Sequence, residues 1–303
     1  MAALPLLAVF GPTAVGKTAI ALALADALRA HGEDPIAVSA DALQVYAGLE
    51  ALSGAPTAAE RAHLEHRLVG IVPVTERFSV ARYARMAHAE IDALRAGGAR
   101  VIVVGGTGLY LRAALAELAL RPAPEPGVRE RWQAELDRHG APALHRTLAA
   151  RAPAAAQRMD ARDGRRIVRA LELLEADALS EPPSESQLWT RSTRHPTRLF
   201  GLVMERQALY ARIDARAEAM AAGGVRAEAQ RALAAGVSET ARQALGFEAL
   251  LRGDVEAMKR DTRRYAKRQL TFMRKLGGVR PVDVTGREPA AVAAEILAAA
   301  GDP

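Results

Sequence analysis

The chain has 303 residues and a formal net charge of +6, and half of its residues are apolar. This length leaves room for one large core and a smaller domain, while the absence of cysteine excludes disulfides and thiolate metal sites. No apolar run is long enough for a membrane-spanning helix and the first residues lack a signal-peptide pattern, so we expect a cytoplasmic enzyme, with nothing that demands more than a monomer.

The first elements predict a phosphate-binding unit. Residues 4–10 predict a buried strand, residues 11–18 read GPTAVGKT, and a helix is predicted from Lys17 to about Ala30. This loop matches G-x-x-x-x-G-K-[ST], in which backbone amides and a helix N-terminus converge on phosphate oxygens. The lysine of such a loop reaches the terminal phosphates and the hydroxyl holds Mg²⁺, so we expect Thr18 to be the metal ligand. The predicted phosphate-binding residues are Gly11, Pro12, Thr13, Ala14, Val15, Gly16, Lys17 and Thr18.

A second strand is predicted over residues 35–39, and its exit reads SADALQVY. The carboxyl ends of strands are where open α/β sheets bind ligands. Asp41 lies at such an end and is therefore a candidate general base or magnesium partner. The alternative is an aspartate that only caps a turn or a helix.

A helix is predicted over residues 79–96 with Ser79 as its N-cap, followed by a strand over 101–104 that ends in GGTGLY. A nucleotide hydrolase commonly ends this strand with a magnesium-binding aspartate, and its absence weighs against an ordinary ATPase. We expect Gly105, Gly106 and Gly108 to let the backbone approach a ligand, and Thr107 to offer a hydroxyl. An ordinary glycine-rich turn is the alternative.

The alternation of strands and helices predicts an α/β fold, a P-loop NTPase-like core with a doubly wound parallel sheet. An arginine-rich segment at 122–195 predicts an inserted α-helical domain. A strand over 197–204, helices over 205–275 and a last strand over 278–284 return to the core. The predicted core therefore comprises 1–121 and 196–303, with a basic helical region near its C-terminal end.

The positive charge is concentrated in one segment. Residues 259–280 carry nine basic residues and one acid, and a helical projection places most of these bases on one arc. Because phosphate neutralisation dominates nucleic-acid affinity, this arc favours an RNA partner over a merely solvated face. A second basic group lies in the insertion, at Arg158, Arg162, Arg165, Arg166 and Arg169, and is either a second RNA contact or an exposed helix paired with its own acids.

Six segments together resemble the tRNA dimethylallyltransferase family, the isopentenyltransferases also called IPP transferases. They are GPTAVGKT, SADALQVY, VGGTGLY, DGRRIVRALELLE (163–175), QALGFEAL (243–250) and TRRYAKRQLTFMRKL (262–276). The resemblance covers about residues 4–276. The family's Ser-Arg after the aspartate is Ala42-Leu43 here, its usual tryptophan in the last motif is Phe272, and its GTAKP lysine has no counterpart in SGAPT (53–57).

The resemblance implies transfer of a dimethylallyl group from dimethylallyl diphosphate to the N6 amine of the adenosine adjacent to the anticodon in tRNA. It implies Asp41 as the general base and Thr107 as a hydrogen-bond donor near the bridging oxygen of the diphosphate. The tRNA-binding positions that it implies are Asp41, Ala42, Leu43, Gln44, Thr107, Arg129, Arg165, Arg166, Ile167, Val168, Arg169, Gln243, Gly246, Phe247, Lys267, Arg268, Gln269 and Arg274. The main alternative is a P-loop small-molecule kinase that uses ATP.

Overall fold

The computed structural model of the protein describes residues 4–121, 125, 127–176 and 187–301. Eight strands lie in this part of the chain. They are β1 (Leu6–Phe10), β2 (Pro35–Ser39), β3 (Tyr46–Ala47), β4 (His66–Arg67), β5 (Val72–Pro73), β6 (Arg100–Gly105), β7 (Thr197–Val203) and β8 (Val279–Asp283).

Fifteen helices accompany these strands in the same described ranges. They are α1 (Lys17–Ala30), α2 (Glu50–Ser53), α3 (Ala58–His63), α4 (Val80–Ala96), α5 (Gly108–Leu115), α6 (Val128–His139), α7 (Ala141–Arg151), α8 (Pro153–Gln157), α9 (Gly164–Glu175), α10 (Arg206–Ala222), α11 (Val225–Ala234), α12 (Glu239–Arg242), α13 (Phe247–Arg252), α14 (Val255–Met273) and α15 (Pro289–Ala300). Within the described residues, no helix is both long enough and apolar enough to cross a bilayer.

Six strands form one parallel sheet in the order β4-β2-β6-β1-β7-β8. The remaining two strands, β3 and β5, pair with each other in a separate two-stranded sheet. From β1 the chain passes over the position of β6 to β2 on one side, and after β6 it crosses to β7 on the other side of β1. The carboxyl end of β1 is thus the switch point at which open α/β sheets bind ligands, and the predicted doubly wound parallel sheet is confirmed.

The core around β1 explains why this strand is entirely apolar. Leu7 and Val9 are fully buried among side chains of β7, α1 and α15, and a strand covered on both faces by helices has no polar face. Burial at this level contributes roughly 1.5–3 kcal/mol for each large apolar side chain. The sheet therefore holds the loop after β1 on a rigid base.

The chain divides into a core unit and a helical unit, with boundaries after Leu118 and before Leu188. The helical unit contains α6 to α9, with a small core of its own around Leu148, Ile167 and Leu171. The sequence pattern predicts the second boundary at residue 195. In the structure the segment before β7 contacts the core unit, since the backbone N–H of Arg194 donates to Leu115 O.

The longer elements agree with their sequence patterns and the shortest do not. Helices α1 and α4 and strand β2 have the predicted bounds, and the Ser79 hydroxyl accepts from Arg82 N as the predicted N-cap of α4. Residues 55–67 contain the short helix α3 and the edge strand β4. A two-residue strand carries too little pattern to be recognised in a sequence.

Candidate active site

The phosphate loop follows β1 and leads directly into α1. Its backbone turns through positive φ at Ala14 (65°) and Gly16 (104°), and α1 begins at Lys17 with no side-chain cap. An uncapped helix N-terminus leaves backbone N–H groups that can donate to an anion, and the helix dipole favours negative charge there. The loop predicted from its glycines thus has the geometry of a phosphate-binding loop.

The ammonium group of Lys17 is folded back onto its own loop. Its Nζ donates to Gly11 O at 3.1 Å and to Pro12 O at 2.9 Å. Burial lowers the pKa of Lys17 to about 8, an effect that the nearby Asp41 opposes and Arg216 reinforces. A buried cation of depressed pKa gains from an anionic ligand, because the ligand restores the stabilisation that water would give.

Asp41 lies just after the carboxyl end of β2, beside this loop. Its Oδ1 accepts from Leu43 N at 3.0 Å, as in an aspartate turn. Burial nevertheless raises the pKa of Asp41 above its usual range, against the lowering effects of the Leu43 amide and of Lys17. A carboxylate of raised pKa is a better proton acceptor than an ordinary aspartate, so the turn and base readings of this residue are compatible.

A cavity of about 290 Å³ in the core unit brings these groups together. It is lined by Lys17, Thr18 and Asp41, and on its far side by Arg212 and Arg216 of α10. The two arginines are one helical turn apart and face the same cavity, but they belong to no motif that would identify them in the sequence. The cavity therefore carries more positive charge than the phosphate loop alone supplies.

Arg216 is seated against Gly54. A Cβ at Gly54 would lie 1.8 Å from an Arg216 guanidinium nitrogen, and the Gly54 backbone has a φ of +63°. Burial lowers the pKa of Arg216, and the neighbouring Asp41 opposes this. Gly54 lies in the SGAPT segment that lacks the family's lysine, and the structure shows what its glycine does: it makes room for an arginine.

Gln44 follows the Asp41 turn, and both the oxygen and the nitrogen of its side-chain amide form hydrogen bonds. Its Oε1 accepts from the Ser39 hydroxyl at 2.8 Å, and its Nε2 donates to Gly54 O at 3.1 Å. Ala42 and Leu43 are half-buried on the same turn. In this structure the Gln44 amide therefore holds the turn and the Gly54 segment together.

Thr107 follows the carboxyl end of β6 and lies against the Asp41 turn. Its Oγ1 accepts from Ala42 N at 3.2 Å and lies 3.5 Å from the hydroxyl of Tyr265. Burial raises the pKa of Tyr265 to about 12, so this phenol keeps its proton at neutral pH. The hydroxyl of Thr107 is thus placed next to the candidate base.

The glycines of the GGTG turn make room for other parts of the protein. A Cβ at Gly105 would lie 2.1 Å from Ala40 O, and one at Gly106 would lie 2.6 Å from the amide nitrogen of Gln269. A Cβ at Gly108 would lie 2.2 Å from the Phe272 ring. Close packing against the Ala40 carbonyl therefore requires glycine at position 105, whereas a side chain at 106 or 108 would displace Gln269 or Phe272.

Gly105→Ala is expected to destabilise the protein by about 3 kcal/mol, because a methyl group cannot fit against a backbone carbonyl without moving a strand. Urea unfolding followed by circular dichroism measures this loss. Gly97→Ala is the matched control, since Gly97 has a φ of −77° and its Cβ would make only ordinary contacts at 3.5 Å. Equal stability of the two variants would contradict the packing account.

The basic arc predicted on the C-terminal helix is present on α14. Arg260, Arg264, Lys267, Arg268 and Arg274 are exposed there or just after its end, while Ala266 and Met273 are buried on the other side. Arg263 on the same helix is half-buried and pairs with Asp214 at 2.9 Å. Within the described ranges, Lys267 and Arg274 form no ion pair, so this surface carries uncompensated positive charge.

Several residues named as tRNA-binding lie inside the protein. Ile167 and Val168 belong to the core of the helical unit, Phe247 is fully buried in the core unit, and Gln269 is 5% exposed. These side chains stabilise the folded units instead of facing an RNA. Their apolar or internal character, rather than a ligand contact, accounts for their place in the motifs.

The remaining residues that were predicted to bind tRNA differ in their exposure to solvent. Arg165, Arg166 and Gln243 are exposed, with Arg166 paired to Asp163 and thus partly neutralised. Gly246, at a φ of +86°, precedes α13 and packs against Met258. These positions leave Arg165 and Gln243 as the surface groups of their two motifs.

Arg129 and Arg169 are both bonded to Glu172, a carboxylate whose side chain is completely buried. Arg129 Nε donates to Glu172 at 2.6 Å and Arg169 at 3.0 Å. The two arginines lower the pKa of Glu172 against the opposing effect of burial. In the helical unit both predicted RNA contacts therefore neutralise a buried acid, and only their outer faces are half-exposed.

Comparison with known proteins gives a consistent result. A family model described as IPP transferase matches residues 44–276. The chain is 42% identical over 283 residues to the tRNA dimethylallyltransferase of Kineococcus radiotolerans, with 89% of this chain and 88% of the relative covered. It is 44% identical over 285 residues to that of Anaeromyxobacter dehalogenans, with 90% and 93% covered.

Solved structures extend the likeness to the whole described fold. The tRNA isopentenylpyrophosphate transferase from Bacillus halodurans superposes with a TM-score of 0.69 at 30% identity, covering 98% of this chain and 96% of that one. A eukaryotic dimethylallyltransferase acting on tRNA has a TM-score of 0.75 at 21% identity, covering 99% and 80%. At that lower identity the second comparison concerns the fold alone.

Proposed function

Because the chain belongs to the IPP transferase family, we propose that its cavity transfers a dimethylallyl group from dimethylallyl diphosphate to the N6 amine of the adenosine beside the anticodon of tRNA. The protein is a transferase, and prenylation of tRNA is its activity. What its own residues do in this reaction, and which groups hold the donor, are proposals. They follow from the contents of the cavity.

One observation carries the proposal: a phosphate loop and a buried carboxylate of raised pKa face the same cavity. A small-molecule kinase would need an acid at the end of β6 to hold magnesium, and that strand ends in Gly105 followed by Gly106 and Thr107. A prenyl transfer needs a diphosphate cradle and one base, which is what the cavity contains. The kinase alternative is therefore not favoured.

The diphosphate of the donor is expected to lie on the loop amides, between Lys17 and Arg216. Both cations face the cavity, and both have pKa values lowered by burial, so an anion placed between them relieves an unfavourable arrangement. Arg212 lines the same side. As the carbon–oxygen bond breaks, negative charge grows on the leaving diphosphate, and these fixed charges stabilise it.

Thr18 suits a magnesium ion bound together with the donor. It lines the cavity one residue after Lys17, and among the described residues its hydroxyl has no hydrogen-bond partner. A hydroxyl, phosphate oxygens and water are ligands that Mg²⁺ accepts. When bound, the ion would supply further stabilisation of the leaving diphosphate.

The transfer itself requires three coupled changes. The bond from the allylic carbon to the bridging oxygen breaks and its electron pair leaves with diphosphate, while the N6 lone pair forms the new bond to that carbon. Asp41 accepts the proton that N6 loses. Thr107, held 3.2 Å from Ala42 N next to this base, is placed to hydrogen-bond the departing oxygen.

The exposed basic face of α14 is the proposed contact with the phosphates of tRNA. Lys267, Arg268 and Arg274 carry charge there that no described acid neutralises. Counterion release from RNA would then supply most of the affinity. A base must leave its stack to reach Asp41, as in other enzymes that modify nucleobases.

The test is prenyl transfer with a labelled donor. The protein is incubated with radiolabelled dimethylallyl diphosphate, Mg²⁺ and an unmodified tRNA whose anticodon is followed by adenosines. Label in the RNA, located at the adenosine beside the anticodon, supports the proposal. No label, together with ATP-dependent phosphorylation in a parallel reaction, would overturn it.

Arg216→Ala is expected to raise the KM for the donor about 30-fold, because it removes a charged hydrogen-bond donor worth roughly 2 kcal/mol from the proposed diphosphate site. Steady-state kinetics at saturating tRNA measure this change. Arg206→Ala is the control, since Arg206 lies on the same helix but stacks over Tyr210 at 5.2 Å. A donor KM unchanged in Arg216→Ala would remove this arginine from the site.

A further inference from the structure

The side chain of Gln269 joins two loops of the site. Its Oε1 accepts from the backbone N–H of Thr13 in the phosphate loop at 2.9 Å, and its Nε2 donates to Gly106 O at 2.7 Å. Gln269 is 5% exposed, and its bond to Gly106 O is buried. One buried amide thus fixes the distance between the phosphate loop and the turn that carries Thr107.

The two loops and the lysine are in contact at this point. A Cβ on Gly106 would lie 2.6 Å from Gln269 Nε2 and 3.3 Å from Lys17 Nζ. The glutamine amide and the lysine ammonium therefore both lie close to Gly106. Because Gln269 accepts directly from Thr13 N, a displacement of Gln269 acts on the phosphate loop.

The same helical turn that carries Gln269 inward carries positive charge outward. Lys267 and Arg268 immediately precede Gln269 and are exposed, and Arg268 lies over the Tyr265 ring at 5.6 Å. Tyr265 in turn lies 3.5 Å from Thr107. Because a helix is rigid over one turn, its outer basic face and its inner glutamine move together.

We propose that Gln269 is a positioning residue that couples tRNA on the basic face of α14 to diphosphate in the phosphate loop. The inference rests on the proposed function, since it takes that loop to bind the diphosphate of the donor. RNA that immobilises α14 fixes Gln269, and Gln269 fixes the Thr13 amide. The diphosphate then binds to a loop that is already ordered and loses less free energy in ordering it.

Coupling of this kind is reciprocal. If RNA strengthens diphosphate binding by some factor, diphosphate must strengthen RNA binding by the same factor. Measuring both factors therefore provides an internal check on the coupling. A Gln269 with only a structural role would not produce such a coupling. The check also places the readout in binding, which is independent of the chemical step.

The experiment measures the affinity for inorganic diphosphate with Mg²⁺ by calorimetry, with and without an anticodon stem-loop RNA. In the native chain we expect the RNA to tighten diphosphate binding about 10-fold, within the usual range of such couplings. In Gln269→Met the two loops lose their link, and the factor is expected to fall to about 1 while each ligand still binds alone.

Met273→Leu is the matched control. Met273 lies on α14 with the same 5% exposure and packs against Gly201 of β7. Its variant loosens the helix without touching the link, so it should keep the native coupling factor. If Gln269→Met fails to fold, Gln269→Glu replaces it, since glutamate keeps an acceptor for Thr13 N and loses the donor to Gly106 O.

Three results would be decisive against the inference. A Gln269 variant with the native coupling factor overturns it, and so does a native chain in which RNA leaves diphosphate affinity unchanged. A native chain that binds no diphosphate at all overturns the proposed function as well. Failure of the inference alone is therefore distinguishable from failure of both.

Discussion

Asp41→Asn is expected to lower kcat for prenyl transfer about 1,000-fold while leaving donor affinity undiminished. Asparagine preserves the size and the oxygen that accepts from Leu43 N, but it cannot take a proton from N6. Removal of the negative charge does not weaken binding of an anionic donor. Single-turnover transfer at saturating donor and tRNA isolates this step from binding.

The pH dependence separates a lost base from a lost structure. Burial raises the pKa of Asp41, so in the native chain the carboxyl is protonated and inactive in acid, and kcat rises as the pH rises through that pKa. The acidic limb should be missing from Asp41→Asn. Asp254→Asn is the control, because Asp254 is the N-cap of α14 and asparagine caps helices equally well. Native kcat in Asp41→Asn would exclude Asp41 as the base.

Lys17→Met is expected to lower kcat/KM for the donor about 1,000-fold. The variant removes the buried cation nearest the loop, and loss of one preorganised electrostatic contact to a developing anion costs a factor of 100 to 1,000 in other enzymes. The donor should also bind more weakly, because the ground-state diphosphate uses the same contact. Rapid-quench transfer and equilibrium binding of the donor together measure both effects.

The alkaline limb of the pH profile of kcat/KM tests directly whether charged Lys17 is required for use of the donor. With a pKa lowered to about 8, Lys17 is charged below that pH and neutral above it in the free protein, so kcat/KM for the donor should fall above about pH 8. In Lys17→Arg the charge persists at any accessible pH, so the alkaline fall should vanish even though the bulkier group lowers the overall rate. An alkaline limb that stays at about pH 8 in Lys17→Arg would assign it to another group.

The sequence was sufficient to predict the features that depend on neighbours in the chain. The phosphate loop, α1, α4 and β2 follow from residues close together, where hydrophobic period, caps and glycines act locally. Asp41 was found because a strand end beside a phosphate loop is a known ligand position. Patterns among neighbouring residues do not predict features that depend on contacts between distant parts of the chain.

Residues whose role depends on distant contacts were missed or misread. Arg216 enters the cavity from a helix far along the chain and requires the missing side chain of Gly54, a relation that no single motif contains. The family resemblance implies that Gln269 contacts RNA, whereas α14 turns this side chain inward, where its Oε1 accepts from Thr13 N. A motif records which residues occur together, and the fold decides which way each of them faces.

The position of β7 in the sequence has a consequence for folding during synthesis. Strand β1 pairs with β7, and the whole helical unit lies between them in the chain. At synthesis rates of about 5–20 residues per second, a ribosome needs on the order of ten seconds or more to make that intervening chain. During this time the apolar edge of β1 has no partner on that side, and an unpaired strand edge invites aggregation. The helices of the insertion can form before β1 pairs with β7. The link from α14 to the phosphate loop forms only when nearly all of the chain has left the ribosome.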